Sequence, residues 1–134
     1  MSTTNYVNTF IAVAEDCPVA SGEVPPTKEP PSIAQITYEI CSQHPYEFTS
    51  DDVIYAASGQ PKGLTRELFF SKPQPCLRSS PLTKRYGWGI HCNNEGKIAL
   101  ISLGTDEYSQ LANDSSLRHE RNAIQTRIIV RVAY

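Results

Sequence analysis

The sequence predicts an α+β fold, a small antiparallel sheet with helices packed largely on one side. Three observations carry this expectation: a hairpin signature late in the chain, capped helical stretches in its first half, and no regular βαβ spacing between them. The stretch "NTFIAVAEDC" is apolar and partly β-branched but too short for a typical helix, which predicts a strand at about 8–15. "CPVASGEVPPTKEPP" follows, and its prolines allow neither strand nor helix to continue, so it reads as a surface loop.

"SIAQITYEICSQHP" opens with Ser32 and Gln35 at capping-box spacing and puts Ile33, Ile36 and Ile40 on one face of a helix that ends before Pro45. In "TSDDVIYAASG" Thr49 or Ser50 can cap a second helix. Asp51 and Asp52 lie in its first turn, where the helix dipole favours negative charge, and Gly59 is the expected stop. "LTRELFF" supplies a short helix with Leu64, Leu68 and Phe69 inward, and Pro73, Pro75 and Pro81 then predict a fixed loop.

The hairpin is "YGWGIHC", "NNEG", "KIALISLG": two apolar or alternating runs around a turn-forming tetrad. Alternation puts Tyr86, Trp88, Ile90 and Cys92 on one face and Gly87, Gly89 and His91 on the other. Two glycines on one strand face invite a close approach, by a packed helix or by a ligand. "TDEYSQLAND" is a helix capped by Thr105, "SSLRHERNAIQTR" a further helix with Leu117 and Ile124 facing in, and "RIIVRVAY" a strand.

With 134 residues, 40% of them hydrophobic and 19% charged, the chain has the composition of one globular domain, and its net charge of −2 argues against general affinity for nucleic acid. No run approaches the roughly 18 apolar residues of a membrane span, and the N-terminus lacks a signal-peptide pattern. A soluble, cytoplasmic protein is expected. Cys17, Cys41, Cys76 and Cys92 are scattered without a C-x-x-C pair, which predicts four reduced thiols and no metal site. No nucleotide-binding glycine loop, H-E-x-x-H or G-x-S-x-G occurs, and no cofactor is implied.

The segment that stands out is "FFSKPQPCLRSSPLTKRYGWGIHC". Lys72, Arg78, Lys84 and Arg85 lie there with no carboxylate between Glu67 and Glu95, so the rest of the chain carries −6. This predicts an anion site in the 72–91 segment: Arg78 offers a planar fork for carboxylate or phosphate, Ser79 and Ser80 hydroxyls and backbone donors, Lys84 and Arg85 further charge, and His91 a group in a pocket above the strand. The bland alternative is that acidic residues such as Asp51, Asp52 or Glu67 neutralise the island by structural ion pairs. A second function class is a small enzyme using Cys76 or His91, since a thiolate needs a neighbouring cation or base. A phosphatase loop is ruled out, because Leu82 stands where its arginine would be required. The expected partner is therefore a small anionic ligand, with no membrane contact and an oligomeric state left open.

The residues "TTNYVNTFI-VAEDCPV", "TSDDV", "FFSK-QPCLRSSPLTKRYGWGIH" and "EGKIAL" resemble a family of small, mostly bacterial proteins classified only as a domain of unknown function. The resemblance runs to about residue 117 and implies a shared fold and central segment, with no activity or catalytic residue to carry over. From the chain length one domain over 1–134 is expected; "NAIQTRIIVRVAY" departs from the charged helical ends of the family, so residues about 118–134 are expected as a variable tail.

Overall fold

A computed structural model describes residues 3–122. Four strands form one sheet in the order β3-β2-β1-β4, with β1 at Thr9–Ala12, β2 at Trp88–Cys92, β3 at Ile98–Ser102 and β4 at Arg118–Arg121. The α+β class holds, and β3, β2 and β1 run antiparallel as expected. β4 joins β1 in parallel, which makes the sheet mixed. The helix predicted over "SSLRHERNAIQTR" is therefore corrected to a strand across 118–121, where pairing with the backbone of β1 overrides a weak helical pattern. Ile124 and the strand predicted over "RIIVRVAY" lie outside the described residues.

Alternation along the strands divides the core between two faces. Ile11, Ile90, Cys92 and Ile98 meet Cys41 of α1 (Ile33–Gln43), Val53 and Ile54 of α2 (Ser50–Ile54), Phe69 of α3 (Arg66–Phe69), and Phe70 and Leu77. On the other face Phe10, Ala12 and Ile101 meet Tyr108 of α5 (Asp106–Ala112). Most helices thus lie on one side, with α5 alone covering the reverse among the described elements.

The caps form largely where the sequence placed them. The Ser32 hydroxyl accepts the Gln35 N–H and that of Thr105 accepts Tyr108 N–H. Thr49 and Asp52 form a reciprocal capping box. Three details depart from expectation. The inward face of α1 is Ala34, Thr37 and Cys41, while Ile33 is 51% exposed, because the helix sits rotated by about one residue. Gly59 does not stop the second helix: the chain runs on through a π-helical turn (Tyr55–Gly59) and a 3-10 turn (Gln60–Lys62) to Gly63, whose φ of 73° only glycine adopts freely. Leu68 is 58% exposed and Phe70 takes the inward place beside Phe69.

The proline segment is also less irregular than predicted. A 3-10 turn covers Leu77–Ser79, and Pro81 opens a fourth helix, α4 (Pro81–Lys84), at the position where its missing N–H costs nothing.

Candidate functional site

Three of the four island cations sit close together in the chain: Arg78 in the 3-10 turn, Lys84 at the end of α4 and Arg85 at its C-cap. Ser80 caps α4, its hydroxyl accepting the Leu82 N–H, while Leu82 and Thr83 are wholly buried. That anchoring fixes where Lys84 and Arg85 emerge. Together with Tyr86 they line one side of a cleft of about 340 Å³ whose other side is Lys28, Ser32 and the first residues of α1. Lys28 is brought there by the loop before α1, because its backbone N–H donates to Oε1 of Gln35 at 3.0 Å. Gln35 therefore ties the loop to the helix instead of closing a reciprocal capping box with Ser32.

No carboxylate among the described residues lines this cleft. Among the described residues neither Lys84 nor Arg85 is in an ion pair. On their other flank both also border a second hollow, which Asp16 lines. At the amino end of α1 the first backbone N–H groups have no intrahelical acceptor, and the helix dipole adds partial positive charge. The cleft thus collects three cationic side chains and a positive helix end.

The other candidates are placed elsewhere. Arg78 donates to Glu120 of β4 at 3.2 Å, a carboxylate that also takes Arg118 at 2.7 Å. Arg78 does not line the cleft, so the expectation that it joins Lys84 and Arg85 at one site is corrected. The neutralising acid is Glu120, not Asp51, Asp52 or Glu67. Asp52 instead pairs with Arg66 at 2.8 Å, and the buried Asp51 carboxylate holds the N-terminal segment through Thr3 Oγ1 and the backbone N–H and hydroxyl of Thr4.

His91 lies on the α5 face, in register with Phe10 and Ala99, its Nδ1 2.8 Å from the Tyr46 hydroxyl. Burial lowers its pKa from the ordinary 6.5, partly opposed by Glu107 and Asp114. Cys76 lies on the opposite side, where its Sγ accepts the Tyr6 hydroxyl at 3.4 Å. Burial, with the Cys76 contact next in size, pushes the Tyr6 pKa up to about 12. The sheet separates His91 from Cys76, and the histidine is not a base for that thiol.

The glycine face is also resolved. A Cβ on Gly89 would stand 2.8 Å from Phe10 Cζ and 2.9 Å from Tyr108 Cε2. What approaches it is packed side chains, one from α5, and not an open ligand pocket. At Gly87 the φ of 76° and the Ser21 carbonyl oxygen, which stands where a Cβ would need to be, leave room for no side chain. Trp88 is half-buried, its Nε1–H donating to the Glu23 carbonyl.

Cys76 borders a separate, smaller cavity of about 220 Å³ between α1, α2 and the 74–81 segment. Ser79 and Ser80 line it too, and it shares Ile33 and Pro81 with the cationic cleft. Neither Lys28 nor this apolar neighbour was foreseen. The only local signal for Lys28 was its position four residues before the cap Ser32, in a loop where Glu29 stands beside it.

Fold and site together define a small α+β domain with a cationic cleft beside an apolar cavity. A family model described as a family of unknown function, DUF6157, matches residues 1–128, and the chain belongs to that family. Searches of curated proteins and of solved structures found no match. Among the described residues no helix is long and apolar enough to cross a membrane.

Proposed function

We propose that the protein is a cytoplasmic binding domain for a small anion, whose phosphate or carboxylate group docks between Lys84 and Arg85 of the 72–91 segment and Lys28. One observation carries this reading: three cations converge on a cleft that no carboxylate lines among the described residues, and none of the three is in an ion pair there. Like charges held close together repel one another, and an anion relieves that repulsion. Arg85 supplies a planar two-pronged donor and Lys84 and Lys28 mobile point charges. Arg78, engaged with Glu120, takes no part.

Calorimetric titration with inorganic phosphate tests the reading. Saturable binding is expected, weakened as ionic strength rises because the cleft is open to solvent. The double variant Lys84→Ala, Arg85→Ala should abolish it, while Arg78→Ala should leave it intact. Absence of saturable binding, or loss in Arg78→Ala with the double variant unaffected, overturns the proposal.

A further inference from the structure

The cavity beside the cleft gives the anion a shape. Its floor is apolar and well buried, with Ile54 and Leu77 at 9% and 4% exposure, and Ile33 and Pro75 complete the walls. Several of the polar side chains around it are already engaged. The Thr37 hydroxyl donates to the Ile33 carbonyl, Gln74 Nε2 to the Phe69 carbonyl, and the Cys76 sulfur accepts from Tyr6. A guest here gains by burying apolar surface, not by hydrogen bonding. At about 220 Å³ the cavity exceeds the roughly 150 Å³ that is known to hold a benzene ring. It adjoins the cationic cleft across Ile33 and Pro81, so a ligand with a ring in the cavity has its charged end directed to Lys84 and Arg85.

We infer that the ligand is an amphiphilic anion: an aromatic ring seated between α1, α2 and the 74–81 segment, bearing a carboxylate or phosphate that meets the Lys28, Lys84 and Arg85 cleft. This rests on the anion reading above and adds the apolar half of the ligand. The charge complementarity and the shared wall select such a molecule over a purely apolar guest and over a bare inorganic ion.

Two matched pairs test it: phenyl phosphate against inorganic phosphate, and phenylacetate against acetate, with benzyl alcohol as the uncharged ring. Each is titrated by calorimetry and then tested for protection of Cys76 from iodoacetamide, read peptide by peptide by mass spectrometry. The ring-bearing member of at least one pair should bind ~10-fold or more tightly than its ringless partner. Only ring-bearing anions should shield Cys76, and whichever pair shows the effect identifies the charged group. In Ser58→Phe, which puts a bulky ring on a residue lining the cavity, the preference for the ring should vanish while inorganic phosphate binds as before. A thermal unfolding curve matching the parent's shows that this variant is folded, and the shielding result on the unaltered protein stands without it.

Equal affinity within both pairs, with Cys76 unshielded, overturns the aromatic assignment and leaves the anion reading standing. Benzyl alcohol binding as tightly as phenyl phosphate overturns the coupling of cavity to cleft. No binding by any of the anions overturns both readings.

Discussion

Gly89 shows what a single position can decide. It faces Phe10 and Tyr108, which pack edge to face with centroids 5.0 Å apart, and the Tyr108 hydroxyl accepts the Val13 N–H. Overpacking a tight core site costs typically ~1–3 kcal/mol, more than the few tenths to ~1 kcal/mol that an alanine gains by stiffening the unfolded chain. Gly89→Ala should therefore lower the chemical-denaturation midpoint, and an unchanged midpoint would show that the two rings yield. His91, on the same face, has a depressed pKa, so the fold prefers the neutral ring. Between the ordinary 6.5 and the lower folded value the unfolded state binds more protons, and stability falls as pH drops through that window. In an NMR titration His91 should protonate below pH 6.5, and Glu107→Gln, which removes an influence raising the pKa, should move it lower still. An upward shift in that variant would contradict the assignment. The cysteines divide similarly: burial lifts Cys41 and Cys92 to about 12, leaving both as neutral thiols at ordinary pH. All four cysteines are free, so brief alkylation of the folded protein should label Cys17 and Cys76 first, and denaturation without reductant should reveal four thiols.

Helix starts obeyed local rules because an amino-terminal cap is a contact over three residues. The Thr49 and Asp52 box satisfies two amides that the start of α2 leaves without partners. Thr49→Ala should cost ~1 kcal/mol by denaturant unfolding. Ser32→Ala should cost less, since Gln35 is turned to Lys28 and only half the box exists. A larger loss at Ser32 would instead place the importance of that cap in holding the Lys28 loop. Asp51 serves longer-range order. Its carboxylate receives three hydrogen bonds from Thr3 and Thr4, and its N–H donates to Asn5. Hydrogen bonds to charged groups contribute more than neutral ones, so Asp51→Ala should destabilise by ~2 kcal/mol or more and increase amide exchange at Thr4. Unchanged exchange there would mean that the N-terminal segment is held by other contacts.

The molecule as a whole settles which charges are available. From the sequence, Lys72, Arg78, Lys84 and Arg85 are equivalent members of one island. Folding hands Arg78 to Glu120, 42 residues later, and sets Lys84 and Arg85 opposite Lys28, well before them in the chain. If the cleft carries the electrostatic work proposed for it, the double variant lacking Lys84 and Arg85 should be no less stable than the parent, because unrelieved repulsion is removed. A marked loss of stability in thermal unfolding would show those side chains to be structural.

Much of this protein is written in its sequence at short range. Alternation and turn chemistry sufficed for β2 and β3, three-residue spacing for the caps of α1, α2 and α5, and a stretch of four basic residues with no carboxylate between Glu67 and Glu95 for the region of the candidate site. These features depend on neighbours within a helical turn or a hairpin, and so on distances the sequence itself measures. The parallel docking of β4 on β1, the one-residue rotation of α1, the capture of Arg78 and the junction of cleft and cavity at Ile33 and Pro81 were decided by tertiary structure. Each depends on which surfaces the sheet brings together across tens of residues, where backbone pairing and burial outweigh local preference and sequence separation no longer measures distance.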